Sequence, residues 1–299
     1  MKVMVIGAGG QLGGDLQRLL PASDCIPLTH ADIEITDPAS VRQAFDRHRP
    51  DVVINTAAFH RVDDCETQAE RAFQTNALAV RDLAHACRTS GAVLVHFSTD
   101  YVFDGGQTEP YVETDRPGPL SVYAASKLAG EYLAAAAHPK HFVIRTCGLF
   151  GLGGSRSKGG GGNFVETMLR AAAQEKSLRV VSDQVVTPTA TADLARKVLQ
   201  LVNTGAHGLY HITAQGSCSW YEFARTIFKL SGVQADLTPV TAEAFGAAAR
   251  RPPYSVLRNR HLELLGLDDL PPWEDGLRRY LDERGRAGAK SSNSGMRVG

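Results

Sequence analysis

The chain has 299 residues with 32 basic and 32 acidic side chains, so its formal net charge is zero. That length can bury one large core and a smaller second one, and the balanced charge offers no field for nucleic acid or a membrane surface. No apolar run approaches the roughly 20 residues of a membrane span, and the scattered Cys25, Cys65, Cys87, Cys147 and Cys218 are odd in number with no C-x-x-C pair, which favours free thiols over a disulfide frame or zinc.

In chain order, Val3, Met4, Val5 and Ile6 form a short apolar run that reads as a buried parallel strand. Gly7, Gly10 and Gly13 follow, and then Leu16, Leu19 and Leu20 fall at helical spacing. Strand, glycine turn and helix bring backbone N–H groups and the positive end of a helix dipole to one point, which suits a pyrophosphate. Gly7 permits the turn, Gly10 admits the phosphate and Gly13 lets the helix pack on the strand. The alternative is a plain strand–helix turn without a ligand. An ATP-type loop is disfavoured because no Gly-Lys-Ser/Thr follows. The first strand begins so early that no leader is expected, which fits a cytoplasmic enzyme.

A second strand is expected at Cys25, Ile26, Pro27 and Leu28. An acid just past it selects NAD, and a basic residue selects the NADP phosphate. Thr29 and His30 stand there and leave both open; NADPH is favoured, with NADH as the alternative, and His30 is either a cofactor contact or a surface residue. Ile35 is placed against the adenine face, and Asp37 caps a helix with Pro38 at its first position. The strand that runs into Asn55 and Thr56 ends in the small residues Ala57 and Ala58, as a backbone lying against a dinucleotide requires. Asn76, Ala77, Val80, Leu83 and Ala84 form the apolar stripe of the next helix.

A strand from Val93 then delivers Ser98, Thr99, Asp100 and Tyr101 to its carboxyl end, where open α/β sheets bind ligands. A Pro- and Gly-rich loop over 105–119 leads to a helix carrying Tyr123 and Lys127 one turn apart. A further strand ends in Arg145, Thr146, Cys147 and Gly148. Residues 151–162 are glycine- and serine-rich and read as mobile. Helices over 164–173, 192–202 and 220–230 and a strand at 208–212 follow, with Ser219 as a cap. The expected architecture is a Rossmann-type α/β fold with a doubly wound parallel sheet and a smaller C-terminal substrate-binding domain. Residues 1–150 and about 185–212 form the first unit, 151–184 and 213–285 the second, and 286–299 a disordered tail.

Hydride transfer to a ketone needs a proton donor for the oxygen, and a tyrosine of pKa about 10 is a poor one at neutral pH. A lysine ammonium one helical turn away is expected to lower that pKa and to hold the nicotinamide ribose. A hydroxyl from a neighbouring strand end fixes the carbonyl. Tyr123, Lys127 and Thr99 supply these groups. The ten histidines show no H-E-x-x-H or similar grouping, so no catalytic metal is expected.

Across residues 1–285, the chain resembles the dTDP-4-dehydrorhamnose reductases of the extended short-chain dehydrogenase/reductases. The likeness rests on the Gly7 to Gly13 turn, on Asn55, Thr56, Ala57 and Ala58 with Val62 and Asp63, and on Ser98, Thr99, Asp100, Tyr101, Val102 and Phe103. It continues through Tyr123 and Lys127, Arg145 and Thr146, Asn163 and Phe164, Asp183 and Gln184, Thr187, Pro188 and Thr189, and finally Arg251, Pro252, Tyr254 and Ser255. The resemblance implies dinucleotide contacts at Gly10, Gln11, Leu12, Ile35, Ala57 and Ala58, with Gly7, Gly13, His30 and Asn76 in the same set. It implies sugar-nucleotide contacts at Thr99, Asp100, Tyr101 and Gly148, and reduction of the C4 ketone of a dTDP-linked sugar. Some members dimerise, so a homodimer is a further expectation. Gly148 stands where some members carry tryptophan, Glu34 where aspartate is usual, Val186 in place of glycine and Arg258 in place of an acid. Asp100 also fits a dehydratase, so another nucleotide-sugar epimerase or dehydratase is one alternative. A cofactor-binding regulatory subunit, like the β subunit of methionine adenosyltransferase, is the other.

Overall fold

The computed structural model describes residues 1–153, 162–174 and 177–294. Its first half alternates strand and helix: β1 (Val3–Ile6), α1 (Gln11–Leu19), β2 (Cys25–Leu28), α2 (Pro38–His48), β3 (Val52–Asn55), α3 (Val62–Thr67), α4 (Ala79–Ser90), β4 (Val93–Thr99), α5 (Val122–Ala137) and β5 (His141–Thr146). After it come α6 (Phe164–Gln174), β6 (Ser177–Val181), α7 (Thr191–Val202), β7 (Gly208–His211), α8 (Trp220–Ser231), β8 (Asp236–Val240), α9 (Arg260–Leu264) and α10 (Trp273–Ser294).

Strands β7, β5, β4, β3, β1 and β2 lie side by side in that order, and every pairing is parallel. The order reverses beside β1, which opens a crevice at the strands' carboxyl ends. Successive residues of β1 face opposite ways: Met4 and Ile6 enter the core beneath α2, α4 and α5, while Val3 and Val5 enter the core beneath α1 and α7. Burial on both faces explains why the strands read as continuous apolar runs rather than alternating ones. Asp37 caps α2 by accepting from Ala39 N at 2.9 Å. Ahead of α4, the Gln74–Leu78 segment is a π-helical turn where a regular helix was expected.

The second unit has its own core around Phe150, Phe223, Ile227, Trp273 and Leu277. It pairs β6 with β8 in parallel and packs α6 against α8. Ser219 and Glu222 form a reciprocal capping box at the start of α8. The boundaries differ from the sequence reading in two places. Residues 255–270 return to the first unit, where Leu262 and Leu270 join the α1/α7 core and Leu257 packs with Val102, Phe103 and Tyr111. That edge of the sheet at β7 needs apolar cover, and α9 supplies it. The expected disordered tail is instead helical as far as Ser294, because α10 continues from its anchored Trp273, Leu277 and Tyr280. Of the expected mobile stretch, 154–161 lie outside the described residues.

Candidate active site

The crevice above the sheet is a cleft of about 540 Å³. Its floor at one end is the glycine turn, with Gly10, Gln11 and Leu12 in its wall, and Ala58 beside them. Gly7 holds φ at +81°, and a Cβ there would strike Thr56 Oγ1 at 2.5 Å. A Cβ at Gly13 would lie 2.5 Å from Gly7 O, so only glycine lets α1 begin this close to β1. Gly10 caps α1 without any side-chain hydrogen bond. The first-turn N–H groups of α1 are thereby left for an anion. Gln11 turns its side-chain oxygen away to accept from Gly151 N at 2.7 Å and Asn163 Nδ2 at 3.0 Å, which ties the turn to the second unit.

Thr99, Asp100, Tyr101, Tyr123, Lys127 and Gly148 line the middle of the same cleft. Strand β4 delivers Thr99 and α5 delivers Tyr123 and Lys127, with Ser121 capping that helix through Ala124 N. Thr99 accepts from Tyr101 N at 3.2 Å and donates to Asp100 Oδ1 at 3.1 Å. Asp100 is buried and accepts from Ser255 Oγ at 2.5 Å and Cys147 Sγ at 3.0 Å. Burial pushes its carboxyl above the ordinary range, against the three donors.

Burial also raises the Tyr123 phenol, with the Asp100 charge adding to it and Thr99 opposing. The expectation that Lys127 depresses that pKa is not met, because its amine turns toward His96 Nε2, 3.3 Å away. Burial instead lowers Lys127 itself to about 8, with Glu131 working against the shift.

Several expected cofactor contacts lie outside the cleft wall. Ile35 is buried in the core beneath α2, with Ala57 packed against the same cluster. His30 is exposed and sits 3.4 Å from Glu34 Oε2. The Asn76 side chain is fully used by Phe59 N (2.9 Å), Phe59 O (3.0 Å) and Ser126 Oγ (3.0 Å). Asn76 thereby fastens the Phe59 backbone to α5. Gly7 and Gly13 act through the turn geometry.

Ser98 and Thr146, read from the sequence as strand ends without a site role, and Trp220, which the sequence did not mark, also line the cleft. The hydroxyls of Ser98 and Thr146 are buried without a protein partner, so polar ligand atoms are needed to satisfy them. Together with the glycine cradle and the uncapped helix end, they fit a dinucleotide. Trp220 and Tyr101 also line an adjoining cavity of about 610 Å³, whose walls include Phe164, Val180, Arg179, Arg250 and Arg251. Arg251 is fixed by Asp63, at 2.8 Å and 3.1 Å. The first cavity is glycine-walled and carries hydroxyls and Lys127, whereas the second joins aromatics to arginines.

The family described as "RmlD substrate binding domain" matches residues 1–285. This chain belongs to that family. It is 43% identical over 288 residues to the spore coat polysaccharide biosynthesis protein SpsK of Bacillus subtilis, covering 96% of this chain and 99% of that relative. A solved dTDP-4-dehydrorhamnose reductase from Clostridium acetobutylicum superposes with a TM-score of 0.90 at 42% identity, covering 95% of this chain and 100% of that one. The Bacillus anthracis dTDP-4-dehydrorhamnose reductase, solved in complex with NADP, gives a TM-score of 0.89 at 40% identity over 95% of this chain and 100% of its own.

Proposed function

We propose that this protein uses NADPH to reduce the C4 ketone of dTDP-4-dehydro-β-L-rhamnose, giving dTDP-L-rhamnose for cell-surface polysaccharide. NADH is the alternative reductant. The observation that carries the reading is the meeting of Thr99, Tyr123 and Lys127 with the glycine turn in one cleft. The NADP-bound and reductase relatives support it.

On this reading, the first-turn N–H groups of α1 hold the pyrophosphate and Lys127 holds the nicotinamide ribose. When bound, the nicotinamide supplies the hydride. The sugar lies at the mouth shared by the two cavities, between Tyr101 and Trp220, and its nucleotide extends toward Arg179, Arg250 and Arg251, whose charge suits a diphosphate. Tyr123 is the proton donor. Its raised pKa keeps it protonated in the resting site, so the proton is present when the ketone oxygen gains charge. Thr99 fixes the ketone oxygen beside the phenol. The five free cysteines favour a reducing compartment, and the cytoplasm is the setting proposed.

The test is to supply enzymatically prepared dTDP-4-dehydrorhamnose with NADPH and follow loss of the reduced nicotinamide. Oxidation matched by dTDP-L-rhamnose supports the reading. A new sugar without net cofactor loss points to an epimerase or dehydratase, and cofactor binding without turnover to a regulatory subunit.

A further inference from the structure

Behind the cleft, a line of buried polar groups runs from β3 through β4 to α5. His96 is 1% exposed. Its Nδ1 lies 3.4 Å from Asn55 Nδ2 and its Nε2 lies 3.3 Å from Lys127 Nζ. The polarity of this line is fixed at its far end. The Ala57 backbone N–H can only donate, and it meets Asn55 Oδ1 at 3.1 Å. The amide NH2 therefore faces His96, and His96 Nδ1 accepts. A neutral imidazole accepting at Nδ1 carries its proton on Nε2, the atom that faces Lys127. An ammonium has three donors and no acceptor, so Nε2–H and Lys127–NH3⁺ meet donor to donor. Only the neutral amine completes the line.

We propose that Asn55 and His96 set the proton affinity of Lys127: by presenting an N–H to the amine, His96 favours its neutral form and makes Lys127 an exchangeable proton carrier. His96 is a positioning residue that acts through Lys127, and Asn55 fixes its tautomer. An imidazolium does not relieve the conflict, since burial and the neighbouring lysine hold His96 well below its ordinary value. The other groups around the amine are few. Glu131, on the same helix, favours the ammonium but is itself tied to Arg145 of β5 by a bond of 2.7 Å. Tyr123 of α5, Asp100 beyond β4 and Cys65 of α3 gather at the phenol, where each of the last two raises its pKa.

The consequence for turnover rests on the proposed reductase activity. Each reduction breaks the Tyr123 O–H bond and forms one on the substrate oxygen, leaving a phenolate. When the Lys127 ammonium leaves His96 for the phenolate, its loosely held proton restores the phenol, the N–H bond breaking as the phenol O–H forms. The resulting amine is the species that His96 Nε2–H is placed to meet, and it regains its proton from solvent.

The test titrates Lys127 directly, by competitive acetylation with acetic anhydride across pH and mass spectrometry of the Lys127 peptide. It compares wild type with Asn55→Asp and Asn55→Leu, each checked for folding by urea unfolding, and records the pH profile of kcat/KM in parallel. A carboxylate at 55 accepts from both Ala57 N–H and His96 Nδ1–H, turning the Nε2 lone pair toward the lysine. Leucine removes the amide donor without adding charge and frees the tautomer. Both variants raise the Lys127 midpoint, by about one pH unit for the aspartate, the scale of one hydrogen bond's preference between protonation states. An unmoved midpoint in both overturns the proposal, as does a shift confined to the charged variant. If the midpoint moves in both while wild type reduces no 4-keto sugar, the line stands and the reductase assignment falls.

Discussion

Trp220 of α8 stands 3.6 Å from the point where a Cβ at Gly148 would lie, and Pro188 Cα is nearer still, at 3.1 Å. Gly148 holds φ at +54°, in the left-handed region. An L side chain there is strained by about 1–2 kcal/mol before any crowding. Gly148→Ala is therefore expected to lower unfolding stability by about that amount in urea, and Gly148→Trp by more. A tryptophan at this position is thus not a conservative change in this chain. Equal stability of Gly148→Ala and wild type would contradict the backbone argument.

Tyr123→Phe removes the proton donor while keeping the ring that meets Tyr101 edge-on, with centroids 6.3 Å apart. The expected loss in kcat is about 10²–10⁴-fold with little change in stability, because only general-acid assistance is removed. Lys127→Ala is expected to lower the rate and weaken NADPH binding together. With Lys127 drawn down to about 8, the ammonium is lost as pH rises through that value. The reduction rate is accordingly highest below it and falls above it. Full activity of Tyr123→Phe in a stopped-flow assay would remove the phenol from the chemistry.

The parts of the site that were legible in the sequence are local. The Gly7 to Gly13 turn and the Tyr123–Lys127 spacing each depend on a few consecutive residues, and their geometry follows from one strand end or one helical turn. The strands themselves followed from the apolar runs at Val3, Val52 and Val93, each buried on both faces, whereas their order in the sheet did not. Trp220 and Arg251 were not legible as cavity-wall residues, nor Ser255 as a partner of Asp100, because tertiary packing alone brings them there. Ser255, for instance, reaches Asp100 across 155 positions. His96 was read only as part of a strand, since nothing local marks the face on which it meets Lys127. The contacts of Asn76 were not legible because the π-helical turn directs its amide to the Phe59 backbone, and propensity does not announce such a turn.

Arg145 and Glu131 form a buried two-toothed pair, with Arg145 Nε and Nη2 donating at 2.9 Å and 2.7 Å. Both side chains are almost wholly inaccessible, at 2% and 4%. Removing one partner strands the other's charge in a medium that solvates it poorly, so Arg145→Leu is expected to cost about 3–5 kcal/mol. Glu131→Gln keeps the shape and several acceptor contacts and should cost less. The double replacement Arg145→Leu with Glu131→Leu should recover part of the loss. A urea double-mutant cycle reads the coupling, and simple additivity would show that the pair contributes nothing as a pair.

Asp63 and Arg251 join α3 to the loop that carries Ser255, with contacts of 2.8 Å and 3.1 Å and a further bond from Ala249 N to Asp63 at 2.9 Å. The Arg251 hydrogen bond, helped by the Ala249 N–H, holds the Asp63 carboxyl below its ordinary value. The folded-state pKa is depressed, so this pair's stabilisation is present above the unfolded value of about 3.9 and is lost as pH falls through the folded value. Asp63 is 46% exposed, so solvent screening limits the effect to about 1 kcal/mol or less. Its larger consequence is positional, because Arg251 lines the aromatic cavity together with Tyr101. Arg251→Ala is expected to raise KM for the nucleotide sugar at least tenfold, the loss of about one charge-assisted hydrogen bond, while the Kd for NADPH stays near wild type. Asp63→Asn should show the same pattern more weakly, since Arg251 keeps its charge but loses its anchor. Isothermal titration with NADPH and with dTDP, run on both variants, separates the two cavities. Equal weakening of both ligands would mean that Arg251 supports the whole cleft rather than the sugar-nucleotide side.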